Sequence, residues 1–204
     1  MSETEAAELL AGLDRVADAQ EDRRRHERLV AAAQAAGILD VAYRDIDTPV
    51  GPLLLAATGQ GLVRVAYAAE GHDAVLAQLA ARVSPRVLAA PGRLDEAARE
   101  IEEYFAGRRT HFDLPLDFSL SKGFRLMVLG HLADIGYGHT ASYAAVAAAA
   151  GNPRAVRAVG TACATNPLPV VLPCHRVVRS DGSIGRYAGG PDAKRILLTL
   201  EGAV

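Results

Sequence analysis

The chain has 204 residues, of which 50% are hydrophobic and 23% charged, with a net charge of −2 at pH 7. That is enough apolar material for a core without disulfides or a structural metal. No apolar run reaches the 18 residues of a helical membrane span, and the charge balance excludes a globally basic nucleic-acid binder.

The two cysteines, Cys163 and Cys174, form no CxxC pair, which argues against a cysteine-based zinc site. The first residues are acidic and lack a basic stretch followed by an apolar one, so a secretory leader is not expected and a cytoplasmic, reducing setting is. Charge is unevenly spread. From Gly151 onward seven Lys or Arg stand against three Asp or Glu, so the basic part is C-terminal and would suit a local phosphate contact.

Residues 3–36 are rich in helix formers, with Leu9, Leu10, Leu13 and Val16, then Leu29 and Val30, at helical spacing. The mixed charge run Glu21–Arg28 reads as a solvated helix face, and Gly37 as the stop. Three strands follow, at 41–46, 53–58 and 62–67, separated by turn material and expected to form an antiparallel meander. Helices are predicted over 73–83 and 94–106, and an extended linker over 112–118. No residue before 119 belongs to a recognisable catalytic set, so 41–118 reads as an α+β scaffold.

From Ser121 the chain turns helical. The stretch 123–135 presents an apolar face at Phe124, Met127, Val128, Leu132 and Ile135. Ser142 is a natural N-cap for a helix over 143–150. The turn Gly151-Asn152-Pro153 then places proline at the first position of a helix over 154–164, giving a helix-turn-helix. This second helix is small-sided at Ala155, Ala158, Gly160 and Ala162, and Arg154 and Arg157 fall on one face. Turn-rich and glycine-rich loops occupy 179–190. A last helix over 192–201 packs Ile196, Leu197 and Leu200. Glu201 stands at its C-terminal end, where the helix dipole disfavours a carboxylate, so a partner must hold it there.

Between these helices runs Asn166-Pro-Leu-Pro-Val-Val-Leu-Pro-Cys-His-Arg-Val-Val178. Pro167, Pro169 and Pro173 stiffen it, and Pro173 pushes Leu172 toward an extended backbone. The expectation is a partly buried Cys174 thiol flanked by an imidazole and a guanidinium, whose positive charge would lower its pKa.

The run from Ile135 to Gly202 resembles the catalytic domain of the O6-alkylguanine-DNA alkyltransferases, the methylated-DNA–protein-cysteine methyltransferases. The resemblance lies in Ser142-Tyr143, Gly151-Asn-Pro-Arg-Ala-Val-Arg-Ala-Val-Gly160, Asn166-Pro167, Pro173-Cys-His-Arg-Val177, Gly185-Arg-Tyr-Ala-Gly-Gly190 and Lys194-Arg-Ile-Leu-Leu-Thr-Leu-Glu-Gly202. Thr48–Leu55 is similar to the strand opening of that family's N-terminal domain.

The resemblance implies an α+β fold: a ribonuclease H-like N-terminal domain with a three-stranded antiparallel sheet and helices, then a mostly helical C-terminal domain with a helix-turn-helix. The division would be a helical extension at 1–40, a scaffold domain at 41–118 and a DNA-binding and catalytic domain at 119–204. It implies a DNA repair protein that flips O6-alkylguanine from duplex DNA and moves the alkyl group irreversibly to Cys174. His175 would take the thiol proton through a water and Glu201 would orient His175. Tyr143 would donate to the guanine ring, and Asn166 would fix the cysteine loop. Arg157 would replace the extruded base in the stack, with Ala155, Ala158 and Arg154 against the DNA. Tyr187, Ala188 and Gly189 would line the base pocket. Arg176 is expected to brace the structure and Cys163 to be a buried small side chain. No metal or soluble cofactor, no membrane and a monomer are expected.

Three departures stand out: Pro191 replaces a larger apolar residue, Ala188 occupies a position where some members carry a hydroxyl, and the N-terminal domain lacks the cysteines of the zinc clip that some members carry. Two other readings compete. A sensor that holds alkylated DNA without transfer would lack the acceptor cysteine, which is present here. A Cys–His hydrolase would need a separate, distant histidine and leaves the helix-turn-helix unexplained.

Overall fold

The structure, a computed structural model, describes residues 3–204, with side chains for Asp18 and from Gln20 onward. Residues up to Leu39 and residues from Asp40 to Val204 form two compact units.

The first unit is one helix, α1 (Glu3–Ala35). The Glu21–Arg28 run is solvated, with an Arg25–Glu21 pair at 2.6 Å one turn apart. The stripe Leu9, Leu10, Leu13 and Val16 lies outside the described side chains. Gly37 ends the helix with φ +65°, its N–H reaching Gln34 O and the Ile38 N–H reaching Ala33 O, both at 3.0 Å. That pair of bonds is a Schellman cap, which needs a left-handed residue and so favours glycine.

The second unit begins with β1 (Val41–Ile46), β2 (Leu53–Thr58) and β3 (Gly61–Tyr67), the expected antiparallel meander. After α2 (His72–Arg82) the sheet gains a fourth strand, β4 (Val87–Ala89), parallel to β1, in the order β3-β2-β1-β4. The three-stranded expectation is extended accordingly: three residues are too few to show a period of two. Arg86 steadies this edge by gripping both carboxylate oxygens of Asp40, at 2.8 and 2.9 Å.

Leu53, Leu54, Leu55 and Ala56 of β2 are all fully buried, so the sheet is covered on both faces. Val75 and Leu79 of α2 close one face against Leu54, Ala56 and Val63. The next helix, α3 (Asp95–Phe105), buries Ala97, Ala98, Ile101 and Tyr104.

Strand β3 is an edge, and its free backbone groups are covered. The Leu62 N–H donates to Pro115 O at 2.8 Å and Leu62 O accepts from Asp117 N–H at 2.9 Å, so part of the predicted linker pairs with the sheet. Further along, the Val65 N–H donates to Pro167 O at 2.8 Å. The cysteine segment therefore hangs from the edge of the sheet, which also blocks edge-to-edge association.

The helical part contains α4 (Phe124–Ala133), α5 (Tyr143–Ala149), α6 (Val156–Ala164) and α7 (Gly190–Leu200), with a two-residue parallel ladder between β5 (Ala141–Ser142) and β6 (Val177–Val178). Three expectations change. The buried face of α4 is Val128, Leu129 and Leu132, while Met127 is 52% exposed. Helix α6 starts at Val156, so Pro153 and Arg154 lie in the preceding turn, where the Ala155 N–H bonds Asn152 O at 2.9 Å. Helix α7 starts at Gly190, with Pro191 in its first turn, where a missing N–H costs nothing. Ser142 caps α5 as expected, accepting the Ala145 N–H at 3.1 Å.

The β3 edge offers a stability test. Gly61 has φ +141°, and a Cβ there would lie 2.2 Å from Pro115 O. Gly61→Ala is expected to cost about 2 kcal/mol or more, lowering Tm by some 4–8 °C. At Gly59, two residues away, a Cβ meets nothing within 4 Å. Gly59→Ala should stay within about 0.5 kcal/mol in the same thermal melts.

Candidate active site

Asn166 organises the cysteine segment. Its Oδ1 accepts the Leu168 N–H at 3.0 Å, and its Nδ2 donates to Leu172 O at 2.9 Å and to Cys174 Sγ at 3.2 Å. One side chain thus spans the loop and touches the sulfur. The loop is folded rather than extended. The Leu172 N–H returns to Leu168 O at 2.8 Å, and Val170 has φ +72°, the one non-glycine residue with positive φ among those described. A β-branched residue in that region is strained, and the bonds around it hold it there. Pro173, at φ −79° and ψ 61°, forms an inverse γ-turn closed by the Cys174 N–H on Leu172 O at 2.8 Å.

Cys174, His175 and Arg176 form a single 3-10 turn, and all three are buried. Three residues per turn send successive side chains about 120° apart. Adjacency in sequence therefore does not surround the sulfur with positive charge, and the expected lowering of the thiol pKa is reversed. Burial pushes Cys174 up to about 11, with the Asn166 hydrogen bond and the Lys194 charge pulling weakly the other way.

The two neighbours converge instead on Glu201, the residue that ends α7. His175 Nε2 lies 2.9 Å from Glu201 Oε1. Arg176 is bidentate, Nε on Oε2 at 2.8 Å and Nη2 on Oε1 at 2.9 Å, and its Nη1 donates to Ile135 O at 2.5 Å. Tyr104 Oη donates to Oε1 at 2.7 Å, and the Gly138 N–H approaches Oε2 at 3.4 Å. Burial opposes the charge on Glu201, but the bonds from His175, Arg176 and Tyr104 outweigh it and bring its pKa down to about 2. The expected partner for a carboxylate at a helix end is therefore present in triplicate.

An ionised Glu201 accepts, so His175 Nε2 carries the hydrogen and Nδ1 keeps its lone pair. Nδ1 is buried and bonded to no protein group. Burial lowers the His175 pKa against the pull of Glu201, so the ring is neutral at pH 7. The same 3-10 turn thus carries a buried thiol and, next in sequence, a neutral imidazole whose far nitrogen is fixed by a carboxylate. These are the residue types of a nucleophile, a base and an orienting group.

The remaining predicted residues frame this centre. Tyr143, at the start of α5, packs on Gly185, where a Cβ would fall 2.5 Å from the phenol oxygen. Its phenol is raised chiefly by burial, then by Cys163 and Cys174. Tyr187 stands edge-on to the His175 ring, centroids 6.2 Å apart, with the partly buried Ala188 and Gly189 beyond it. Arg157 and Ala158 are exposed on α6, and Ala155 is its half-buried N-cap. Arg154 is exposed but precedes the helix, so it does not share a helical face with Arg157. Cys163 is buried on α6, as expected.

Three site residues escaped the sequence reading. Tyr104 on α3 and Tyr67 on β3 both come from the block read as scaffold. Tyr67 shares a 2.9 Å hydrogen bond with the Tyr187 hydroxyl, and its ring lies where a Cβ on Gly189 would be, 2.6 Å away. Both tyrosines look like ordinary core aromatics in sequence. Lys194 is fully buried with Nζ on Val177 O at 2.5 Å, and burial lowers its pKa against the pull of both cysteines. It lay within a recognised motif but carried no assigned role.

The carboxylate sets a pH dependence of stability. The folded pKa of Glu201 is about 2, below its ordinary 4.5. A depressed acid stabilises the fold above its unfolded pKa, and that contribution disappears as pH falls from about 4.5 toward 2. Glu201→Gln should cost about 3–5 kcal/mol at pH 7, because Arg176 is left buried without a counter-charge. Its urea midpoint should also fall less steeply than the native protein's between pH 5 and 3. Parallel pH profiles for the two proteins would refute the assignment.

Family profiles match this chain twice: the ribonuclease-like domain of 6-O-methylguanine DNA methyltransferase over residues 41–118, and that protein's DNA binding domain over 123–203. A methylated-DNA–protein-cysteine methyltransferase of Methanosarcina barkeri is 38% identical over 159 residues, covering 78% of this chain and 96% of the relative. The Mycobacterium tuberculosis protein of the same name is 38% identical over 161 residues, covering 79% and 92%. Among solved structures, the M. tuberculosis O6-methylguanine methyltransferase superposes with a TM-score of 0.69 at 37% identity, over 80% of this chain and 93% of that one. The M. tuberculosis OGT in complex with DNA gives 0.67 at 37% identity, over 79% and 93%. With both domains matched and relatives 38% identical over nearly their whole length, the chain belongs to the methylated-DNA–protein-cysteine methyltransferase family.

Proposed function

We propose that this chain repairs DNA by moving the alkyl group of O6-alkylguanine in a duplex onto Cys174, once per molecule. The observation that carries the reading is the buried Cys174 thiol, held by Asn166, in the same turn as a neutral His175 oriented by Glu201. With a pKa of about 11, only about one thiol in 10⁴ would ionise unaided at pH 7. A base is therefore required, and His175 Nδ1 is the buried group with a lone pair to offer. The family resemblance puts one water between it and the sulfur. Glu201 stabilises the imidazolium that results.

The thiolate attacks the alkyl carbon. The S–C bond forms as the C–O6 bond breaks, and the electron pair leaves with O6 into the guanine ring. Tyr143, kept protonated by burial, donates to that ring as charge develops, and the thiol proton held on His175 restores the balance. The thioether has no route back, so turnover is single. Tyr187, Ala188 and Gly189 hold the flipped base. Helix α6 enters the minor groove with its small exposed residues, Ala158 among them, and Arg157 fills the gap in the stack. Ala155 and Arg154, at the head of the helix, lie against the same strand.

The domain division follows the same logic: an extension at 1–40, a scaffold at 41–118 that lends Tyr67 and Tyr104 to the site, and a catalytic domain at 119–204. A monomer suffices, because every proposed role falls on one chain. Among the described residues no helix is long and apolar enough to cross a membrane. The free thiols of Cys163 and Cys174 suit a reducing cytoplasm.

The test is intact mass and peptide mapping after incubation with duplex DNA containing O6-methylguanine. A gain of one methyl group on Cys174, absent in Cys174→Ala, is the expected result. Tight binding without mass gain would instead favour a damage sensor. Tyr143→Phe should slow single-turnover transfer by about 10²-fold by removing the donor. Loss of the cysteine modification altogether, or no change in rate, would rule out that role.

A further inference from the structure

A cleft of about 210 Å³ opens between β3, α2 and α4, and Cys174 does not line it. Its walls bring together three guanidiniums from three elements: Arg64, Arg82 and Arg125. Only one carboxylate, Glu70, lines it, and Glu70 is already paired with Arg64. Arg82 makes a single long contact, to Leu120 O at 3.4 Å. Arg125 has no hydrogen bond or ion pair among the described residues. Two arginines thus line one cleft without a carboxylate partner, an arrangement suited to an anion.

The position of the cleft identifies the anion. Its floor is Ala164, Thr165, Asn166 and Pro167, the end of α6 and the start of the cysteine loop. The exposed side of α6 runs through Arg157, Ala158 and Thr161 to Ala164 and Thr165. The cleft therefore continues the face that is read above as entering the minor groove. Nine residues of helix span about 13 Å, whereas that groove is about 6 Å wide, so a helix that crosses the groove meets the sugar–phosphate backbone near its ends. At the C-terminal end the helix dipole repels phosphate, and fixed cations are needed to overcome it.

We propose that Arg82 and Arg125 form a backbone-phosphate site for the DNA strand flanking α6, which extends the DNA footprint onto the 41–118 block. Arg64, held by Glu70, shapes the wall. The proposal rests on the reading of α6 as the groove-entering helix.

The test is binding of the full chain to an unmodified duplex across a salt series, with Arg82→Ala, Arg125→Ala and the double variant. Each single change should weaken binding about 3- to 10-fold and reduce the slope of log K against log salt by about 1, and the double change by about 2. Transfer from duplex O6-methylguanine should fall relative to transfer from the free O6-methylguanine base. Lysine at both positions should restore the slope. A double variant that melts like the native protein and keeps its affinity and slope would overturn the proposal. So would a thermal shift with inorganic phosphate that disappears in the double variant while the DNA slope stays unchanged, since the site would then serve a free anion. If the native protein transfers no methyl group from DNA, the reading of function fails instead, and the salt slope still reports on the phosphate site.

Discussion

The carboxylate of Glu201 is the point on which both the fold and the site depend. It sits at the C-terminal end of α7, where the helix dipole is unfavourable, and is buried to 5% exposure. Alone, such a charge would be expelled or neutralised. It persists because α3 sends Tyr104, the 3-10 turn sends His175 and Arg176, and the loop after α4 sends the Gly138 N–H to the same two oxygens. Four segments distant in sequence are registered against one another by one group. The same set of bonds fixes which His175 nitrogen holds the hydrogen, so the interaction that closes the fold also prepares the proposed base.

A second constraint concerns the sulfur. Burial holds Cys174 in its neutral form, and Asn166 donates a weak bond to it. A thiol kept neutral is protected from adventitious oxidation, because the thiolate is the reactive form. In the proposed mechanism reactivity is conferred only when His175 accepts the proton, and the alkyl carbon arrives together with the flipped nucleotide. A protein that acts once gains from this restraint, since any stray modification of Cys174 removes a molecule from use. The stiffness of the loop, with its strained Val170 and the γ-turn at Pro173, serves the same end by fixing the sulfur before substrate arrives.

Much of this was legible in the sequence, for reasons that differ by element. Strands β1 and β2 begin and end where read, because glycine and proline punctuate them sharply. Glu201 could be singled out from the helix dipole alone. Strand β4 is too short to carry a period. Proline at a helix start and proline in a turn look identical in sequence, so α6 was begun two residues early, at Arg154 rather than Val156. The thiol environment was misread because neighbours along the chain diverge in a 3-10 turn. Tyr67 and Tyr104 were missed because a buried aromatic on a strand or helix gives no sign of whether its hydroxyl meets a catalytic group. That information is tertiary, and it resides in which edge of the sheet the cysteine loop hangs from.

Net charge, finally, decides less than its placement. A chain of net charge −2 would seem ill suited to a polyanion. Screening limits exposed charges to a range of about 8–10 Å in physiological salt, so a bound duplex senses the charges near its own surface and little of the rest. Arg157 lies on α6, Arg154 in the turn before it, and Arg82 and Arg125 line the cleft whose floor is the end of that helix. Local arrangement of this kind permits contact with DNA while the overall negative charge discourages indiscriminate adhesion, which suits a protein that must search undamaged sequence before it reacts.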